Sequence, residues 1–265
     1  MQSLEARKAR LGAALASALV WSAGSTMAAD FISGTVRNGA AAAEAGVWVI
    51  AETADLPTLY RKIVVTDDAG RFVLPELPAA KYKVWVRGYG LADSTPVEAE
   101  PGADVALTAT IASDPLEAAL VYPANAWFSL FKPPPASAFG GKAERSAAAG
   151  LFAAPGAGAG DDPFKTPAAW FAQMKLNCVL CHQVGSAPTR LGEANAFDHG
   201  FLKAGGMNYF AEVMGRKRLT GALAEWGKLI GEGAVPPAPP RPAGVERNIV
   251  ITQWAWGDRY TYAHD

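Results

Sequence analysis

The chain has 265 residues, 24 of them basic and 25 acidic, and half are apolar. Near-zero net charge without any long charge run leaves no electrostatic footprint for nucleic acid, and the apolar content excludes a chain disordered throughout. This length accommodates two modest domains, while 27 glycines and 19 prolines punctuate it into strands, turns and linkers rather than one helical array.

Arg7, Lys8 and Arg10 precede an uncharged run over residues 11–29 that closes on Thr26-Met27-Ala28-Ala29, small residues suited to signal-peptidase cleavage. Residues 1–29 are therefore expected to be an export signal, which places the mature chain in the periplasm. The alternative is an uncleaved inner-membrane anchor facing the periplasm, although the run is rich in Ala, Gly and Ser and weakly apolar for a span. No other stretch reads as a bilayer span, so none is expected after signal cleavage.

Residues 30–112 carry the pattern of short strands, over 32–36, 47–50, 62–66, 72–74, 82–86 and 105–108. Tyr82, Val84 and Val86 share one face, opposite Lys81, Lys83, Trp85 and Arg87, and Asp67-Asp68-Ala69-Gly70 reads as a hairpin turn. The spacing predicts an antiparallel β-sandwich. Gly34-Thr35-Val36, Ala45-Gly46-Val47-Trp48-Val49, the stretch from Thr66 through Gly70-Arg71-Phe72 to Leu74, and Leu77-Pro78 before Tyr82-Lys83-Val84 resemble the carboxypeptidase regulatory-like domain, a prealbumin-type sandwich. Ala80 stands where that family usually has the glycine of its L-P-x-G-x-Y corner. The resemblance implies an accessory module without peptidase chemistry, whose ligand would be carbohydrate or protein.

Residues 113–132 form an aromatic connecting segment with Leu116, Leu120, Tyr122, Trp127, Phe128 and Phe131, Pro-started and helical in its first half. It is expected to pack against the sandwich or, alternatively, to line a cofactor pocket. Residues 133–161, with Pro133-Pro134-Pro135 and an Ala/Gly-rich run, read as a linker.

The next module, residues 162–233, holds both cysteines of the chain. Thr166 is a candidate cap with Pro167 at the first helical position, and Trp170, Phe171 and Met174 give an apolar stripe that leads into Cys178-Val179-Leu180-Cys181-His182. C-x-x-C-H is the attachment pattern of a c-type haem: two thiols bond the porphyrin and the adjacent imidazole takes one face of the iron. Positions i and i+3 share a helix face, so both sulfurs reach one porphyrin edge. Chance would produce this arrangement on the order of once in ten thousand such chains. Zinc would need a further ligand such as His199, His264 or a carboxylate. A thioredoxin-like pair would open a helix after a strand, whereas helix precedes Cys178 here. A structural disulfide would leave His182 unexplained. One covalent haem c is thus the expected cofactor, with Cys178, Cys181 and His182 binding it and His182 ligating the iron.

Gly185, Pro188, Leu191 and Gly192 loosely resemble the Gly-Pro-x-Leu-x-Gly loop of small soluble cytochromes c, with altered spacing. In that family a proline carbonyl in the loop receives the proximal histidine N–H, which implies Pro188 as the partner of His182. A second helix is predicted over residues 208–230, with Gly221 and Gly227 permitting close packing. For the sixth iron position the candidates are Met207, Met214, Met174 and His199. Met207 is the choice, because it follows Gly205-Gly206, where a bend before the helix could aim its sulfur inward, whereas Met214 sits on the apolar stripe.

Residues 234–247 read as a Pro-rich spacer, and residues 248–265 as a strand that either returns to the sandwich or begins a further β-domain. This order of modules resembles longer bacterial exported proteins that continue into a lyase-like β-propeller, which implies a truncated chain. The expected function is a periplasmic mono-haem c-type cytochrome that passes electrons to a redox partner protein, the sandwich being an accessory. The alternative is an extracytoplasmic carbohydrate- or protein-binding module in which haem is structural. No G-x-S-x-G, Walker loop or H-E-x-x-H occurs, so this stretch is not expected to be an enzyme.

Overall fold

Alternation of apolar and polar residues in the first third of the chain produces strands whose buried faces meet. The structure, a computed structural model, describes residues 30–141, 162–179, 183–203 and 205–255. The expected signal at residues 1–29, the Ala/Gly-rich run over residues 147–160, Cys181, His182 and His264 lie outside the described residues.

The strands are β1 (Ile32–Arg37), β2 (Trp48–Thr53), β3 (Tyr60–Val65), β4 (Arg71–Leu74), β5 (Tyr82–Arg87), β6 (Leu91–Ala92), β7 (Val97–Ala99), β8 (Asp104–Thr108), β9 (Thr110–Ile111) and, far along the chain, β10 (Val250–Trp254). They form a three-stranded sheet in the order β4-β1-β8, a five-stranded sheet β10-β3-β2-β5-β7, and the small pair β6-β9. Ile32, Val36, Phe72, Leu74 and Leu107 from the first sheet share one core with Val49, Tyr60, Val64, Tyr82, Val84 and Val86 from the second. Burying each such side chain contributes about 1.5 to 3 kcal/mol, which is why the period-two pattern suffices to pick the inner face.

Two expectations need correction, and one open alternative is decided. The sandwich is not wholly antiparallel, since β1 runs parallel to β8, with Ser33 opposite Asp104. The turn at residues 67–70 is tight, with Asp67 Oδ1 accepting the N–H groups of Ala69 at 2.9 Å and Arg71 at 2.8 Å. Yet it joins strands of different sheets and is no hairpin: β2 and β10 occupy both edges of β3, so β4 pairs with β1 instead. Residues 248–265 were open between two fates, and their described part, β10, returns to the sandwich with Val250 opposite Val64. The corner before β5 closes with Ala80 in place of glycine. The Tyr82 hydroxyl donates to Pro78 O at 2.8 Å, positive φ falls on Glu76 at 53°, and burial beside Tyr60 pushes the Tyr82 phenol up to about 12.

The remaining chain is helical. After α1 (Pro115–Ala119) and α2 (Ala124–Phe128) come α3 (Pro167–Cys178), α4 (Ala194–Lys203), α5 (Gly205–Met214) and α6 (Arg216–Gly231). The helix predicted over residues 208–230 is two helices, because Gly215 at φ 80° breaks it. The carbonyl freed there, Met214 O, accepts the Trp170 indole N–H at 2.8 Å and Arg218 Nη2 at 3.0 Å. Trp170, Met174, Phe197, Phe201, Met214, Leu219 and Trp226 form a second core separate from the sandwich. The connecting segment serves both: Tyr122 and Trp127 build a small cluster with Tyr89 of the sandwich, while Phe128 and Phe131 enter the helical core.

The two Pro-rich stretches are anchored rather than free. Ala138 O accepts Arg218 Nη1 at 2.9 Å, and the Arg218 guanidinium lies 4.6 Å from the Phe139 ring centre. In the later stretch Arg241 pairs with Glu44, which is 8% exposed, and donates to Tyr89 O at 3.0 Å. A polyproline segment makes no internal hydrogen bonds, so its position is set by such side-chain anchors. Arg241→Ala is expected to cost about 2 kcal/mol in denaturant unfolding followed by β-type circular dichroism, because Glu44 would keep its burial and lose its counter-charge. An unchanged midpoint would show that the stretch does not brace the sandwich.

Candidate functional site

Cys178 is delivered by α3. Thr166 Oγ1 accepts the Ala169 N–H at 3.2 Å, Pro167 follows at the first helical position, and three turns later the helix ends on Cys178, 7% exposed. Trp170 and Met174, both fully buried, fix the face that α3 turns inward.

Beside Cys178 lies an apolar cavity of about 240 Å³. Val184, Pro188 and Leu191 wall it from the segment after the pentapeptide, Phe197 and Phe201 from α4, Met207 from α5 and Leu223 from α6. Among the described residues Thr189 is the one lining residue with a polar side chain besides the cysteine. Of the five site residues expected from the sequence, Cys178, Pro188 and Met207 thus come together on one cavity, while Cys181 and His182 lie outside the described residues. Met207 does not sit in a bend before a helix: it is in the first turn of α5, which Gly205 opens. Met174 and Met214 are fully buried and line no part of the cavity, and His199 is on the exposed side of α4, also away from it.

The segment that carries Pro188 is held from within. The Gly185 N–H donates to Thr189 Oγ1 at 2.9 Å, the Thr189 hydroxyl donates to Ser186 O at 2.7 Å, and Arg190 Nε donates to Gly185 O at 2.7 Å. The Arg190 guanidinium also stacks 3.9 Å from the Trp127 ring centre, where burial pulls its pKa below the ordinary arginine value. The helices around the cavity are tied by Arg216, which pairs with Asp198 of α4 and Glu212 of α5, both at 2.6 Å. The hydrogen bonds it donates to Asp198 first, then to Glu212, raise its pKa. Arg218 pairs with buried Asp162 at 2.6 Å. Burial pushes the Asp162 carboxyl up, but the hydrogen bonds of Arg218 and the Phe164 N–H outweigh it and hold the group below the usual carboxylate range.

Helix α4 and its two aromatic cavity residues, Phe197 and Phe201, were missed from the sequence. The available signal was the i,i+4 spacing of Phe197 and Phe201, which stacks two aromatic rings on one helix face. Gly200 between them weakens the propensity that would have supported it.

A pocket of this kind takes the apolar body of a ligand, and a thiol with a thioether on its wall supplies soft donors suited to a porphyrin and its iron. Among the described residues no three His, Cys, Asp or Glu side chains gather as a metal site, and no helix is long and apolar enough to cross a membrane. No protein-family model matches the chain, and no curated protein matches it. Among solved structures, a type II cohesin–X-dockerin complex from Acetivibrio cellulolyticus, an N-terminal interface mutant, is similar at 13% identity and a TM-score of 0.24, over 44% of this chain and 78% of that one. A likeness of that size carries no argument about fold or activity.

Proposed function

We propose that the protein is a periplasmic mono-haem c-type cytochrome whose helical module carries electrons and whose β-sandwich is an accessory that docks it to a redox partner. The observation that carries this reading is the convergence of Cys178, Pro188 and Met207 on one apolar cavity, although the sequence separates the outer two by 29 positions, 207 less 178. The residues fit the group: Cys178 and Cys181 would bond the porphyrin, His182 would be the proximal ligand with Pro188 as its hydrogen-bond partner, and Met207 would offer its thioether to the opposite face. The haem supplies an iron that gains and loses one electron. Phe197, Phe201, Leu223 and Val184 would keep water away from it, and a thioether ligand and the burial together would raise the potential relative to a bis-imidazole site.

Expression with a c-type maturation system tests the reading. The purified chain should gain the mass of one haem and keep it through denaturing electrophoresis, and the ferric form should show the weak near-infrared band of sulfur ligation. Met207→Ala should remove that band and let carbon monoxide bind the ferrous form at once. A wild-type chain without covalent haem would end the proposal, and a band that survives Met207→Ala would move the sixth ligand elsewhere.

A further inference from the structure

A second space adjoins the apolar cavity at Leu191. Leu191 and Ala196 also line a second, open cleft of about 600 Å³ that runs on to Arg190, Gly192 and Lys228. The cavity itself, about 240 Å³, is smaller than the roughly 300 to 1,000 Å³ usual for small-molecule sites. A porphyrin seated against Cys178 would therefore extend beyond it, and the cleft that shares Leu191 and Ala196 with the cavity is the neighbouring space.

Arg190 lines that cleft with donors to spare. Its Nε is used on Gly185 O and its planar face on Trp127, yet Nη1 and Nη2 make no hydrogen bond to the described residues, and no carboxylate among them pairs with it. The other charges of the cleft do not compete for it: Lys228 and Glu232 pair with each other at 3.7 Å, and Glu193 is exposed. A half-buried guanidinium held in place by its Nε and its face, with its fork free, is prepared to receive a carboxylate in bidentate fashion.

We propose that Arg190 binds the carboxylate edge of the porphyrin. A haem bonded to Cys178 through its vinyl edge carries its two propionates on the opposite edge, which then leaves the cavity by the cleft where the Arg190 fork is free. This rests on the cytochrome reading and adds to it a positioning residue: Arg190 sets the orientation of the ring, neutralises a propionate and, through the Gly185 carbonyl, couples that edge to the segment carrying Pro188.

The test uses the full chain matured with covalent haem, as wild type, Arg190→Gln and Arg190→Lys, with the reduction potential measured across about pH 5 to 8. An arginine beside a carboxylate keeps it ionised, so the wild-type potential is expected to be flat over that range. Arg190→Gln should raise the propionate midpoint by about 1 to 3 pH units, so that the potential climbs as pH falls and a protonated carboxyl stretch emerges in the infrared. Arg190→Lys, which keeps the charge but not the fork, should give an intermediate midpoint. If Arg190→Gln holds its haem and its profile superimposes on that of the wild type, Arg190 merely braces Gly185 and Trp127, and the proposal is overturned. Should Arg190→Gln fail to mature, Arg190→Lys decides: an unmoved midpoint overturns the proposal and a raised one supports it. A wild-type chain that takes up no haem removes the cytochrome reading itself, and this proposal falls with it.

Discussion

Cys178→Ala combined with Cys181→Ala should abolish covalent haem while leaving a folded protein. In the proposed cytochrome each thiol would add across one vinyl group of the porphyrin, the sulfur to one carbon and the hydrogen to the other, a step that would consume no oxidant and that no other side chain could replace. The chain has no third cysteine. The structural cost is small, because Cys178 contributes one sulfur to the edge of a core dominated by Trp170, Met174, Met214, Leu219 and Trp226. Losing it is expected to cost about 1 kcal/mol, within the range of mild large-to-small changes. Mass spectrometry and haem staining after denaturing electrophoresis report the attachment, and far-ultraviolet circular dichroism reports the fold. Each single variant should keep a haem bound by one thioether. Haem that resists denaturation in the double variant would place the attachment outside the pentapeptide and sink the assignment of both cysteines.

The second large effect is expected from Gly227→Val in α6. A side chain there would overlap the Leu191 carbonyl oxygen and crowd the Gly192 amide, both backbone atoms that cannot swing aside as a flexible side chain does. Helix α6 and the 190–192 segment would have to part, and Leu191 is a wall of the cavity. Overpacking of this kind costs about 3 kcal/mol. Gly221 supplies the control: nothing lies within 4 Å of where its side chain would be, so the packing role expected of it is not found. Gly221→Ala should therefore stabilise α6 by up to about 1 kcal/mol through helix propensity alone. Chemical denaturation followed by tryptophan fluorescence separates the two, since Trp170 and Trp226 lie in the helical core. Equal stability of Gly227→Val and the wild type would mean that α6 and the 190–192 segment do not touch.

The inner faces of β1, β3 and β5 were legible in the sequence because strand periodicity is a property of neighbouring residues: Tyr82, Val84 and Val86 alternate with exposed or half-exposed partners wherever the strand finally pairs. The Thr166-Pro167 start of α3 was legible for the same reason, being written within a few positions. The neighbours of each strand were not. Whether β4 pairs with β3 or β1, whether β1 lies parallel to β8, and whether residues 250–254 return to β3 depend on which edges other strands have already taken. Arg241 and Glu44, 197 positions apart, likewise turn a Pro-rich spacer into an anchored strap only once the sandwich presents Glu44 to it. The cavity is the clearest case. Cys178, Pro188, Phe201, Met207 and Leu223 come from separate segments, and α4, which supplies two of its aromatic walls, was not predicted. The sequence by itself determined the inner face of β5 and the start of α3, since these follow from short-range periodicity and sterics. Only the tertiary structure decided which groups face one another, because burial is satisfied by long-range partners that no short window of residues contains.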